Sequence, residues 1–382
     1  MKGLIQKSLF AESVTAGGSI NKALDMIPSD VAGEPAYVAG ILLSYYGTLT
    51  SQAGTEDASQ RQLANSLGSV QLQGGGINLA RQAISGEELL LAQYMLGLGT
   101  AYTADGGHGV IHDASNIAAD GQTAEHHVLL PFAPRCFQAG RLGNSKPFDG
   151  AMDAALFRAS TNLTLNQVGT APVTDVAWSN LTVKASVFLV AGNERISPLD
   201  SRLVPLGVIN EDPKPFSLGQ MSDLTSMCVY SEAVPASNDS DPLAIKTSAA
   251  EFEVELGGLE VLSVYGAEIQ AGSVAQGLSD VMTPRAEEES SMQLLYSSYP
   301  MPQASHRPAG DRLILKGWNN ETETSKAMVF VVSQPDPSLL RRWAQLRGLS
   351  LDRGVVSKSN VGKGQNLDKA AATGVPVEFV QP

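Results

Sequence analysis

Apolar and polar residues alternate through several short runs of this chain. Leu181, Val183, Ala185, Val187 and Leu189 fall on one side of an extended backbone, with Thr182, Lys184 and Ser186 on the other. Side chains of a strand point to its two faces in turn, so this spacing predicts a strand over 181–191 with one buried face. Val70 and Leu72 alternate with polar neighbours over 69–73 in the same way. Runs rich in apolar and aromatic strand formers begin near 39–46 and 127–132. Further strands are expected over 155–166, 224–230, 250–269, 292–299, 311–317 and 327–333. Helical spacing is rare. Ser85 stands three residues ahead of Glu88 and just before Leu89, Leu90 and Leu91, which is the form of a capping box, and that helix should end at Gly97 or Gly99. A second helix is expected after Ser273, and a short third one from Ser338, with Leu339, Leu340, Trp343 and Leu346 on one side and Gly348 as its stop.

The pattern also repeats. Lys184-Ala185-Ser186-Val187-Phe188-Leu189-Val190 returns as Lys326-Ala327-Met328-Val329-Phe330-Val331-Val332, five of seven residues being identical. Upstream, Val70-Gln71-Leu72-Gln73-Gly74-Gly75 is echoed by Val254-Glu255-Leu256-Gly257-Gly258, and between the members of each pair Ser85-x-x-Glu88 is echoed by Ser273-x-x-Gln276. Three echoes in one order predict two copies of one β-rich unit. The 382 residues suit two domains with a tail. Residues 1–38, broken by Gly17-Gly18 and Pro28, read as an N-terminal arm. Residues 39–195 read as the first unit and 196–335 as the second, the latter opening with a connector over 196–218 that holds Pro198, Pro205, Pro213 and Pro215. Residues 336–382 read as a C-terminal helix and an extended tail. A Gly-, Ala- and His-rich insertion over 100–125 has no counterpart in the second half. The expected fold class is all-β: two consecutive eight-stranded jelly-roll sandwiches with short helices, an arm and a tail. Parallel α/β is disfavoured because no long crossover helices alternate with the strands.

Composition narrows the class. Hydrophobic residues make up 43% of the chain and mean hydropathy is −0.03, values of a folded globular protein. The most apolar stretches, near 39–43 and 88–98, fall short of the ~18–20 residues of a membrane-spanning helix. The N-terminus has Lys2 and a few apolar residues, but Gln6, Lys7 and Glu12 interrupt any signal-peptide core, so a secretory route is not expected. Cys136 and Cys228, one per half, read as buried free thiols. A net charge of −13 argues against a broad nucleic-acid-binding face, although from Asp336 onward seven basic residues against four acidic ones leave the tail at +3.

The sharpest chemical cluster is His108, His112, Glu125, His126 and His127. His-x3-His could ligate zinc on a helix, where positions i and i+4 share a face, but Gly106, Gly107 and Gly109 disfavour a helix there. His126 and His127 open a strand, where neighbours point to opposite faces and cannot both enter one site. A polar loop with incidental histidines is the favoured reading. No G-x-S-x-G elbow, P-loop or dinucleotide fingerprint occurs, and no catalytic, cofactor-binding or metal residue is assigned. Glu287-Glu288-Glu289 reads as a solvated loop, and the sequons at Asn162, Asn180, Asn238 and Asn320 as Ser/Thr-rich strand edges. Trp178, Trp318 and Trp343 read as core or interface anchors, with sugar-stacking platforms as the competing use. Trp178 and Trp318 precede the repeated closing segment at nearly matching distances.

The twinned Val-x-Leu strand before Gly-Gly, the capped helix after it and the closing strand make the chain resemble the double jelly-roll major capsid proteins. These belong to the lineage of tailless, membrane-containing icosahedral viruses, bacteriophages among them, and the adenovirus hexon. The resemblance spans about residues 39–335. It implies a structural protein of the virion, made in the host cytoplasm, that forms homotrimers of pseudo-hexagonal outline. Its implied partners are neighbouring capsomers, penton and minor capsid proteins, and an internal viral membrane reached by the N- or C-terminal arm. Neither a cofactor nor sequence-specific nucleic-acid binding is implied. The alternative is a two-domain jelly-roll carbohydrate-active enzyme, such as a glycan-removing amidase, or a receptor- or carbohydrate-binding spike.

Overall fold

A computed structural model describes residues 4–58, 60–73, 83–95, 114–133, 151–155, 161–191, 200–210, 212, 214–217, 224–233, 250–256, 259–264, 292–296, 313–319, 325–333, 349–352 and 355–358. The first half contains β1 (Leu4–Ser13), β2 (Gly18–Ala23), β3 (Asp30–Val31), β4 (Glu34–Ser51), β5 (Glu56–Ala58), α1 (Gln60–Asn65), β6 (Ser69–Gln73) and β7 (Ile84–Ser85). It continues with α2 (Gly86–Met95), β8 (Ala114–Ile117), β9 (Gln122–Pro131), β10 (Met152–Asp153), β11 (Asn162–Val168) and β12 (Val176–Ala191). The second half contains β13 (Asp200–Ile209), β14 (Lys214–Ser217), β15 (Leu224–Ala233), β16 (Ala250–Leu256), β17 (Leu259–Val264), β18 (Met292–Tyr296), β19 (Leu313–Asn319) and β20 (Ser325–Ser333). A hairpin of β21 (Leu349–Asp352) and β22 (Val355–Lys358) follows.

Each half builds two antiparallel sheets with the same strand order. In the first half the orders are β1-β12-β4-β10, with β9 also paired to β4, and β2-β11-β6-β7. In the second they are β13-β20-β15-β18 and β14-β19-β16-β17. Numbering the eight principal strands within each half, both give first-eighth-third-sixth over second-seventh-fourth-fifth, β9 and β10 sharing the sixth place. That order is a jelly roll, and it occurs twice.

The echoes in the sequence fall at matching places in these sheets. Val70 and Leu72 of β6 pair with Leu165 and Leu163, and Val254 and Leu256 of β16 pair with Leu315 and Leu313. The Leu-x-Leu of the seventh strand is thus a fourth echo. The closing segments are the eighth strands β12 and β20, and even their irregularities correspond. The first strand bulges between Ser8 and Phe10 opposite Ser186 and Ala185, and between Pro205 and Gly207 opposite Met328 and Ala327. The extra residue is a buried leucine each time, Leu9 and Leu206.

The core of the first sandwich lies between its sheets. Ile20, Val70, Leu72, Leu163 and Leu165 come from one sheet, and Ile41, Leu43, Leu49, Val128, Leu130 and the inward row of β12 from the other. That row is Leu181, Val183, Ala185, Val187 and Leu189, all buried, as the alternation requires. Burying one such leucine or isoleucine contributes roughly 1.5–3 kcal/mol. The surface ion pair of Glu12 with Lys22, at the open ends of β1 and β2, contributes far less. Beyond Ser186 the outer face of β12 is covered as well, where Tyr37, Ala39, Ala133, Ala151 and Val190 form a smaller apolar cluster with Leu4 and Phe188 against it.

The capping box at α2 has the reciprocal form expected of it. The Glu88 N–H donates to Ser85 Oγ at 3.1 Å and the Ser85 N–H donates to Glu88 Oε2 at 2.9 Å. Ser273 and Gln276, and the helix expected over 338–347, lie outside the described residues. Gly68 turns the chain from α1 into β6 with φ +71°, and a Cβ there would stand 2.1 Å from the Asn166 carbonyl oxygen of β11. Gly68→Ala should therefore lower the unfolding free energy of the first sandwich by about 2–3 kcal/mol in a denaturant titration, combining left-handed backbone strain with the clash.

Four expectations are corrected. Residues 4–38 are not an arm, because β1 and β2 are the first two strands of the first sandwich, paired to β12 and β11. Residues 200–217 are not a connector, because β13 and β14 hold the same places in the second. Both prolines within them, Pro205 and Pro215, sit on edge strands, where a missing N–H can be tolerated. In the tail expected to run extended from 350, β21 pairs with β22, and residues 359–382 lie outside the described residues. The insertion also stops short of 125, since β9 begins at Gln122.

Candidate functional site

β9 carries the part of the histidine cluster that the structure describes; His108 and His112 lie outside those residues. In register, Ser44, Tyr45 and Tyr46 of β4 stand opposite His127, His126 and Glu125. The two-residue period of the strand sends the two histidines to opposite faces, as expected from their adjacency.

His126 points into the sandwich and is fully buried. Its ring lies 5.1 Å from that of Tyr45, and Tyr45 meets the Trp178 indole edge-on at 5.9 Å. The Tyr45 hydroxyl donates to the Leu63 carbonyl, and burial pushes its pKa well above the usual phenol value. Both ring nitrogens of His126 and the Trp178 Nε1 are buried with no hydrogen-bonding partner among the described residues. Burial first, then the neighbouring His127, push the His126 imidazole down to about 3. His126 lies on a strand, as expected, but its burial is not what a polar cluster of incidental histidines implies. Ala124, His126, Val128 and Leu130 share the inward register, a signal that the sequence did contain.

His127 lies on the outer face, its Nδ1 2.7 Å from Ser44 Oγ and its Nε2 2.7 Å from Glu125 Oε1. A hydrogen-bonded Ser-His-Glu row arises here from cross-strand pairing on a sheet surface. Among the described residues, no group of three or more His, Cys, Asp or Glu side chains could hold a metal ion.

The remaining candidates separate. Trp178 is 5% exposed and belongs to the core, so it is no sugar platform. It lies in the eighth strand, whereas Trp318 lies in β19, the seventh, so the two tryptophans are not equivalent. Two residues beyond Trp178 on β12 a bulge places Asn180 at φ +52°, and Gly47 of β4 lies so close that a Cβ would stand 3.2 Å from the indole. Cys228 lies on β15 opposite Phe330. Asn162 and Asn180 are exposed on strands, while Cys136, Asn238, Glu287, Asn320 and Trp343 lie outside the described residues.

The lateral edges suit contacts made by side chains. The first-strand edges carry a bulge in each half, with Lys7 on one and Pro205 on the other, devices that discourage addition of a foreign strand. Ile5 and Val208, which flank these bulges, are exposed apolar residues.

No family model matches the sequence, and no curated protein does. Solved structures do match. The crystal structure of the STIV MCP aligns at 13% identity with a TM-score of 0.53, covering 87% of this chain and 97% of that one. A chain in the atomic structure of Sulfolobus Turreted Icosahedral Virus aligns at 10% identity and 0.52, covering 90% and 97%. The major capsid protein P2 of bacteriophage PM2 aligns at 9% identity and 0.44, covering 87% and 98%. The strand order of both halves agrees with the first two alignments: the chain has the double jelly-roll fold of viral major capsid proteins.

Proposed function

We propose that the chain is a major capsid protein that forms pseudo-hexagonal homotrimers tiling the shell of an icosahedral virion. The doubling of one strand order within one chain carries this reading. Three such chains around a threefold axis present six similar sandwiches, and a six-sided tile fills a flat facet. Its neighbours are other capsomers, with penton and minor capsid proteins where facets meet. With residues 4–23 built into the sheets, the N-terminal arm loses its role as a tether. The C-terminal segment, at +3 and with apolar Leu339, Leu340, Trp343 and Leu346, is then the part that reaches adjacent tiles or an internal membrane. The protein is made in the host cytoplasm, ends in the virion and needs no cofactor or catalytic step.

Light scattering and negative-stain microscopy of the purified protein test the reading. The expected species is a compact trimer of six-sided outline, with three times the 40.1 kDa of one chain. A monodisperse monomer that releases glycans from glycopeptides would place it with the enzymes instead. Deleting 336–382 should leave a folded trimer and sharply reduce particle yield in an assembly reaction; a normal yield refutes the role of that segment.

A further inference from the structure

β9 joins the first sandwich by a single ladder. Gln122 to Pro131 pair with Leu49 to Gly40 of β4, and no other strand among the described residues hydrogen-bonds to β9 within its sheet. A strand held on one side opens at lower free energy than one held on both. Near the middle of this ladder sits His126, without a partner for either ring nitrogen among the described residues. Neutral imidazole tolerates such a place at some cost, whereas imidazolium brings a full charge and a second donor that nothing accepts. We infer that His126 is an acid-operated latch: neutral, it docks β9 against β4, and protonated, it holds the strand in a detached state.

Among the described residues, no carboxylate is in place to neutralise the imidazolium. Tyr45 faces His126 from β4 and stays uncharged, with Trp178 of β12 beyond it. α1 and α2 pack on β9. α2 carries Glu87 and Glu88, the second committed to its cap, and α1 carries Arg61. β8 also packs on β9 and has no ionisable residue, and Asp120 lies in the turn between them. None of Glu87, Glu88 and Asp120 hydrogen-bonds the His126 nitrogens. On β9 itself, Glu125 and His127 pair with each other on the opposite face. A proton on His127 further disfavours one on His126 in place. The second proton therefore arrives once β9 has left. The latch belongs to the single chain and needs no shell.

Amide hydrogen exchange on the full chain tests it, with rates corrected for the intrinsic effect of pH. Between pH 7.5 and 5 the detached population should rise about 30-fold, as follows from an ordinary imidazole in the open state and a strongly depressed one in the closed state. The rise should appear at β9 and the facing part of β4, and leave β2, β6 and β11 unchanged. His126→Phe should abolish it, and His127→Gln should keep most of it. The His126 ring in native wild-type protein, followed by NMR, should stay neutral through pH 5. Native-state titration near 6.5, an equal acid response in His126→Phe, or a rise spread over both sheets would overturn the inference.

Discussion

Acidification from pH 7.5 to pH 4 should remove about 3 kcal/mol of the first jelly roll's stability through His126 alone. The sign follows from proton binding. In the unfolded chain the imidazole takes up a proton near pH 6.5, while in the folded chain it does so only at about 3. Between these values the unfolded state holds the extra proton, so acid favours unfolding. The loss is absent above about pH 7, reaches about 2 kcal/mol at pH 5 and levels off below pH 3. His126 is fully buried, so solvent screening does not erode the effect. Carboxylates add their own acid response, and the quantity to compare is therefore the difference between wild type and His126→Phe. Denaturant titrations at several pH values should show the two curves diverging below pH 6.5. Parallel curves would mean that the imidazole finds solvent or a counter-charge in the native state.

Trp178→Ala should lower the stability of the same unit by about 3–5 kcal/mol, because it empties a large site that rigid neighbours cannot refill. The indole is almost fully buried, stands edge-on to Tyr45 and closes over Gly47 at the β12 bulge. Trp178→Phe should cost less than about 1.5 kcal/mol, since it keeps most of the contact area and discards an Nε1 that has no partner. Thermal unfolding separates the two. An alanine variant as stable as wild type would remove Trp178 from the core, and a phenylalanine variant as unstable as alanine would show that the Nε1 is satisfied after all.

Much of the fold was legible in the sequence, and the failures share one cause. The interior strands announced themselves because one face is buried. The inward row of β12 and the Val70/Leu72 pair alternate cleanly, and Ser85 with Glu88 marked the start of α2. The first two strands of each unit were missed. In both halves these lie at sheet edges, β1 and β2, then β13 and β14. β1 buries Leu9 alone, and its bulge breaks the two-residue period that reveals a strand. β13 and β14 carry prolines that an inner strand would reject, so they looked like linker. At the candidate site, adjacency correctly separated His126 from His127. The burial of His126 was missed because a polar residue in an inward register is invisible until the facing sheet is known.

The matched bulges bear on how the free chain behaves in solution. A bulge twists an edge away from the flat geometry that a second chain's strand needs. Here it stands opposite Ala185 in one half and Ala327 in the other, with Leu9 and Leu206 buried. The chain therefore carries the same guard against edge-to-edge fibre growth twice, once in each half.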